Sequence, residues 1–250
     1  MLPETSESLQ KKISANLTEV RQSIVRVAER AGREPSFIKL VVVTKRRPLA
    51  VVRAAVACGI TCFGENYPEE GEEKILALPQ HTGLSWHMIG HIQSRKANIV
   101  CEYYDYVHSV DSMKVAGLLD KHMQGKDHRL PVLLEVNISG EVSKYGFTAN
   151  NPEGWHALLP EFRQIAAMPG LHISGLMSMP PLFQEAEGTR PYFQKVKRFQ
   201  TFLQTKIPDQ TWDELSMGTS SDYQVAIEEG ATMVRIGEAI LGPKSSIEKE

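Results

Sequence analysis

No apolar run in this chain approaches the roughly 18 residues that a membrane-spanning helix requires. The first eight residues, Met1-Leu2-Pro3-Glu4-Thr5-Ser6-Glu7-Ser8, are polar and acidic. They lack the basic and apolar regions of a secretory signal, so a cytoplasmic location is expected. An excess of one charge is also missing: 28 Lys and Arg face 30 Asp and Glu, for a net charge of -2. That balance sets up no strong field, so neither nucleic acid nor an anionic membrane is an expected partner. Cysteine is scarce, with only Cys58, Cys62 and Cys101. An odd count at these spacings builds no disulfide framework, and no second pair completes a zinc site. The three read as small, half-buried hydrophobes in a reducing compartment. His87 and His91 have a spacing that mimics a metal site on a helix, and on a strand they share a face, but no third ligand is evident, so no metal is expected. No Gly-x-Gly-x-x-Gly follows the first apolar run, which argues against a dinucleotide-binding open sheet.

What is present is an ordinary globular composition, 42% hydrophobic and 23% charged, in a chain of 250 residues. Leu9, Ile13, Leu17, Val20, Ile24, Val27 and Ala28 recur at spacings of three and four. They predict an amphipathic helix over about residues 6–31, with Gly32 as its stop. Eight strand-like segments follow, near 40–45, 60–66, 85–91, 106–111, 131–138, 171–179, 212–218 and 232–237. Several are nearly continuous apolar runs, as expected of parallel strands buried on both faces. Helix-length connections such as Pro48 to Cys58 and Met113 to Met123 separate them. The alternation predicts an α/β fold: a single (β/α)8 TIM-type barrel with an additional N-terminal helix. The expected domain spans residues 1–250, with the barrel over about 38–242. The N-terminal helix is expected to cover the gap left by a missing eighth helix.

In such a barrel the chemistry sits where the strands end. Lys45 closes the run Leu40-Val41-Val42-Val43-Thr44. An amine facing inward from a buried strand is desolvated, and a partly neutral amine suits imine formation with an aldehyde. A solvated lysine at a strand end is the simpler reading of that segment alone. Met217-Gly218-Thr219-Ser220-Ser221 opens a helical pattern with small residues, which suits an anion. Ser220 is thus a candidate phosphate ligand; the simpler reading is that Ser220 or Ser221 caps the helix, and the two roles can coexist. Arg235, inside Met233-Val234-Arg235-Ile236-Gly237, needs a partner because an unpaired buried charge is costly. That partner is a carboxylate, or a ring nitrogen or phosphate of a ligand. An amine at one strand and an anion cradle at two others suit a phosphorylated aldehyde, and pyridoxal phosphate is one.

Several segments, in their order along the chain, resemble those of the pyridoxal phosphate homeostasis proteins, the proline synthase co-transcribed family. They are Leu40 to Pro48, Phe63-Gly64-Glu65-Asn66-Tyr67, Trp86 to Ser94, Val136-Asn137-Ile138-Ser139-Gly140-Glu141, Gly175-Leu176-Met177, Leu215-Ser216-Met217-Gly218 and Val234-Arg235-Ile236-Gly237. The resemblance runs from about residue 5 to 242. It implies a barrel similar to the N-terminal domain of alanine racemase. It further implies pyridoxal 5'-phosphate bound covalently as a Schiff base on Lys45, with Arg235 at the pyridine nitrogen and Asn66 beside the ring. Phosphate contacts would come from Ser220 and from the backbone at Gly237 and Glu238, and Met217 joins the cofactor-binding set. Three features depart from the pattern. Glu238 stands where the family often has Thr or Ser, so it must offer only its N–H. Thr219 and Ser221 stand where Met and Asp are frequent. Pro68 removes one backbone donor.

An acidic partner keeps a pyridoxal ring nitrogen protonated and the cofactor an effective electron sink. Arg235 is a permanent cation and cannot accept that proton. In alanine racemase a second base, a tyrosine, comes from another domain and the partner subunit, for which this chain has no room. The expected function is therefore to hold the cofactor and hand it on, in intracellular vitamin B6 homeostasis, with no catalytic residue. Apo forms of pyridoxal phosphate-dependent enzymes are the expected recipients, and a monomer is expected. An amino-acid racemase using Tyr67, Tyr145 or Tyr223 as base stays open, as does a Schiff-base aldolase.

Overall fold

The computed structural model describes residues 6–78 and 83–243. The extreme termini of the expected domain, including most of the tail after Leu241, lie outside these residues. Helix α1 (Ser6–Arg30) begins and ends within a residue of the sequence expectation. Its apolar stripe of Ile13, Leu17, Val20, Ile24, Val27 and Ala28 is buried.

The strands are β1 (Lys39–Val43), β2 (Cys62–Glu65), β3 (Ser85–Met88), β4 (Tyr106–Val110), β5 (Leu130–Asn137), β6 (Phe147–Thr148), β7 (Leu171–Met177), β8 (Glu214–Ser216) and β9 (Met233–Ile236). Every pairing among them is parallel. Neighbours run β4-β3-β2-β1-β9-β8-β7-β5, and β4 pairs with β5 to close an eight-stranded barrel. The two-residue β6 only flanks the end of β5, matching Val136 with Phe147. Six of the eight barrel strands fall inside the segments expected from sequence, trimmed at one or both ends, and β1 and β5 each begin one residue earlier and end short of the expected limit.

Helices α2 (Leu49–Ala57), α3 (Pro68–Leu76), α4 (Ala97–Tyr103), α5 (Met113–Met123), α6 (Trp155–Ala166), α7 (Arg190–Lys206) and α8 (Tyr223–Glu228) follow successive strands around the barrel. The last, α9 (Glu238–Leu241), has four residues. It is too short to shield its sector, and α1 packs against α2, α8 and α9 there. Asn16 Nδ2 donates to Ile240 O at 3.0 Å, and Gln224 Nε2 to Ser23 Oγ at 3.0 Å, fastening α1 in place.

Two apolar cores result. The large one lies between strands and helices and includes Phe63, Leu119, Phe162, Phe193, Phe199 and Trp212. The small one, inside the barrel, is Leu133, Met177 and Met233 with Tyr106 against it. The rest of the interior is not filled by the bulky branched side chains usual in this fold. His87, His108, Ser216 and Arg235 occupy it instead, all buried.

Candidate functional site

Strand β1 stops at Val43, so Lys45 sits in the turn that follows rather than on the strand, and it is half-buried. The turn is unusual. Arg46 adopts φ of 56°, the left-handed region that non-glycine residues seldom enter. Its N–H donates to Glu70 Oε1 at 2.5 Å. The same carboxylate accepts from Lys74 Nζ at 2.7 Å, and Lys74 also donates to Thr44 O and Glu65 Oε1, each at 2.7 Å. Thr44 Oγ1 donates to that same Glu65 oxygen. Glu65 is fully buried, and burial pushes its carboxyl up to about 7 against the pull of Lys74. The amine-bearing turn is thus braced from behind by an ion cluster. Sequence reading missed Lys74, whose four-residue spacing from Glu70 looks like an exposed helix pair.

On the neighbouring strand β9, in register with Val41 of β1, Arg235 is 4% exposed. Its Nη1 donates to Ser216 Oγ at 2.6 Å and its Nη2 to Ser178 O at 3.1 Å. Among the described residues no ion pair includes it, so the carboxylate partner considered from sequence is not what holds it. Burial lowers its pKa to about 10, partly offset by Glu135 and Asp222, and it stays a cation near neutral pH.

Lys45, Asn66, Ser220, Arg235, Gly237 and Glu238 line one cavity of about 390 Å³, together with Val43, Arg47 and Ile89. Met217 does not line it; it is fully buried, its N–H donating to Met233 O at 3.1 Å. Ser220 does not cap α8. Its hydroxyl accepts from the N–H groups of Gly237 (3.3 Å) and Ala239 (3.4 Å), joining the loops after β8 and β9. Asp222 shapes the first loop by accepting from Thr219 N–H at 2.6 Å and Thr219 Oγ1 at 2.9 Å. Gly218 allows the loop to lie on α8: at its φ of 91° a Cβ would come within 2.6 Å of Ala226 Cβ. Glu238 is exposed. Pro68 is the first residue of α3, where a missing N–H costs nothing.

Asn66 stands between this cavity and a second of about 520 Å³, and both volumes also touch Ile89 and Met179. Gly90 packs against its backbone; a Cβ there would fall 2.3 Å from Asn66 O. The Oδ1 atom of Asn66 is buried without a partner among the described residues. The second cavity is lined by His91, Arg95, Glu135, Tyr67 and Tyr145 among others. His91 Nδ1 lies 2.6 Å from Asp111 Oδ2, and its ring stacks on Tyr145 at 3.8 Å. His87 and His91 do not share a strand face, contrary to the sequence reading. Strand β3 ends at Met88, leaving His87 inside the barrel and His91 on the exposed loop beyond. Tyr67 and Tyr145 are at the mouth, whereas Tyr223 is 8% exposed and packed in the outer core.

An amine, a buried cation and converging N–H groups around one cavity at the C-terminal rim of a parallel barrel define a site for a small anion with a reactive carbonyl. The comparisons agree with that class. The alanine racemase N-terminal domain family matches residues 15–245. A pyridoxal phosphate homeostasis protein of Escherichia coli is 37% identical over 245 residues, covering 95% of this chain and 99% of that protein. One from Pseudomonas aeruginosa is 39% identical over 235 residues, covering 93% and 96%. The structure of PipY from Synechococcus elongatus with pyridoxal phosphate bound matches with a TM-score of 0.79 and 33% identity, over 92% of this chain and all of that one. An alanine racemase of Clostridium difficile shares the fold at 15% identity and a TM-score of 0.65. The chain belongs to the alanine racemase N-terminal domain family and, within it, to the pyridoxal phosphate homeostasis proteins.

Proposed function

We propose that this chain binds pyridoxal 5'-phosphate in the 390 Å³ cavity and serves pyridoxal phosphate homeostasis without turnover of an amino acid. The observation that carries the reading is the convergence of Lys45, Arg235, Ser220, Gly237 and Glu238 on that one cavity. The chemistry fits. Lys45 supplies the amine for a Schiff base, and the Ser220 hydroxyl with the N–H groups of Gly237, Glu238 and Ala239 suits a phosphate. Asn66 brings an unpartnered amide oxygen to the wall beside the ring. Arg235 faces the pyridine nitrogen.

When bound, the cofactor supplies an aldehyde and an electron sink. The residues around it hold that sink weak. Arg235 donates to Ser216 and Ser178 and has no proton-accepting atom, so it cannot keep a proton on a ring nitrogen. The protein acts as a carrier, with apo enzymes that use the cofactor as recipients. It works as a monomer in the cytoplasm; no described helix is long and apolar enough to cross a membrane.

Borohydride reduction of the purified protein followed by peptide mass spectrometry tests the reading. A pyridoxyl-phosphate adduct on Lys45 is expected, absent in Lys45→Ala. An adduct on another lysine removes the assigned linkage. A sugar-derived adduct favours an aldolase. Deuterium incorporation at Cα of amino acids that scales with protein and vanishes in Lys45→Ala restores the racemase.

A further inference from the structure

The barrel interior holds a continuous polar path that the cofactor site alone does not explain. From Arg235 Nη1 it runs to Ser216 Oγ (2.6 Å), on to His108 Nδ1 (2.8 Å), from His108 Nε2 to His87 Nδ1 (2.8 Å), and from His87 Nε2 to Ser85 Oγ (3.0 Å). Cys62 Sγ lies 3.4 Å from the same His87 nitrogen. Five barrel strands contribute: β9, β8, β4, β3 and β2. Ser85 and Cys62 are the first residues of their strands, so the path crosses from the cavity to the opposite end of the barrel. Exposure is 4% at Arg235, 0% at Ser216 and His108 and 2% at His87, so water does not supply alternative partners.

The chemistry of the members sets a direction. A guanidinium only donates. Ser216 therefore accepts from Arg235 with one lone pair, and among the described residues His108 Nδ1 is the one acceptor bonded to its hydroxyl, so the hydroxyl proton is assigned there. His108 Nδ1 then accepts, which leaves its proton on Nε2. That N–H donates to His87 Nδ1, and His87 Nε2–H donates to Ser85 Oγ. Every atom of the path is satisfied only when both rings are neutral. Burial lowers both histidines, His87 to about 3 and His108 well below the usual imidazole range; Lys39 presses the same way on both, and His87 and Arg235 do so on His108. Tyr106 stacks on His87 with ring centroids 5.0 Å apart and meets His108 edge-on at 5.2 Å, fixing both rings.

We propose that Ser216, His108 and His87 form a proton-ordered chain that fixes the Arg235 guanidinium at the cavity, which makes Ser216 and His108 positioning residues for the bound ligand. The proposal rests on the pyridoxal phosphate reading only for the ligand's identity. The chain leaves Arg235 with its full charge toward the cavity, because none of its members accepts a second proton without breaking the order.

Long-range proton–nitrogen NMR on the ligand-free protein tests the order directly. Both rings should be Nε2–H tautomers from about pH 6 to 8, where an ordinary histidine titrates. Ser216→Ala should speed solvent exchange of the Arg235 side-chain N–H groups and release pyridoxal phosphate faster, each by about tenfold, the effect of losing one charge-assisted bond. It should also shift the absorption maximum of the bound cofactor. His108→Asn keeps an acceptor at the Nδ1 position and should leave exchange, retention and spectrum as in the wild type. His108→Phe should not. A His108 Nδ1–H tautomer, or an imidazolium forming near neutral pH, overturns the proposal. So does a folded Ser216→Ala protein with unchanged Arg235 exchange. If the wild type retains no pyridoxal phosphate, the functional reading falls, and the tautomers and exchange rates of the ligand-free protein still decide the chain.

Discussion

Lys74, Arg47 and Arg235 are buried cations near the mouth of the barrel, and Lys74 and Arg235 are held in opposite ways. Lys74 meets two carboxylates and a carbonyl, each at 2.7 Å, and its charge is spent inside the protein. Arg235 meets a hydroxyl and a carbonyl, both neutral, and lines the cavity. A buried charge without a counter-ion is costly, so Lys74 reads as a structural clamp. Arg235 keeps its charge for a ligand. Burial alone does not separate Lys74 from Arg235; the charge of their partners does.

The difference should be visible in stability. Lys74→Ala strands Glu65, which is fully buried with one oxygen already unpartnered. A loss of about 3–5 kcal/mol is expected, the cost of breaking a buried pair from one side. Urea unfolding measures it. Replacing Lys74 by Met and Glu65 by Leu together should recover most of the loss. The turn at Arg46 should remain loosened, because Glu70 loses the cation beside it. A single-mutant loss below about 1 kcal/mol would erase the contrast between the two cations.

Arg235→Gln should cost less, about 1–2 kcal/mol, because it strands neutral groups and no carboxylate. Its large effect should instead be on the ligand, with pyridoxal phosphate retained poorly after gel filtration. A variant that unfolds as readily as Lys74→Ala, or retains the cofactor like the wild type, would place Arg235 with the structural cations.

The fold was largely written in local patterns. The spacing of Ile13, Leu17, Val20, Ile24 and Val27 located α1 within a residue, and all five are buried. The runs Leu40 to Val43 and Met233 to Ile236 are β-strands paired side by side in the closed barrel. Such periodicities concern neighbours in the chain, and burial on two faces leaves a mark in composition. The cavity was legible for a related reason: strand ends can be listed once strands are placed. What escaped is non-local. Lys74 touches Glu65 nine residues away and the Thr44 carbonyl thirty residues away, from a helix whose charges look solvated. His108, in the apolar run Tyr106-Val107-His108-Ser109-Val110, carried a weak sign in being polar within a buried strand. Its partners lie on other strands and are not inferable from spacing. The His87 and His91 spacing misled because β3 ends between them, and a strand end is the least defined part of a sequence reading.

Glu135 tests the field around Arg235 from the second cavity. Burial and the nearby Asp111 charge push its carboxyl up to about 7, against the pull of Arg235. A folded-state value above the unfolded one, about 4.5, means the fold prefers the protonated form. That contribution is full below about pH 4.5 and is lost as pH rises through about 7. The melting temperature should therefore fall between about pH 5 and 8, by the equivalent of about 1 kcal/mol after allowance for solvent screening. Glu135→Gln should flatten that slope in scanning calorimetry. Buried Glu65 adds a slope of the same sign, so the difference between the two proteins, not the wild-type slope, reports Glu135. An identical slope in the variant would mean that Glu135 is solvated at the cavity wall.

The smallest effect belongs to Ser220→Ala. The hydroxyl accepts from Gly237 and Ala239 at 3.3 and 3.4 Å, at the long end of hydrogen-bond geometry, and it is half-buried. Gly237 lines an open cavity, so water replaces the lost acceptor there. Stability should change by no more than about 0.5 kcal/mol. The backbone donors remain, so a phosphate should still bind, weakened a fewfold by the loss of one hydroxyl donor. Titration with pyridoxal phosphate and with pyridoxal separates the two contributions: the weakening should appear only for the phosphorylated compound. Equal weakening of both would move Ser220 away from the phosphate and toward the ring.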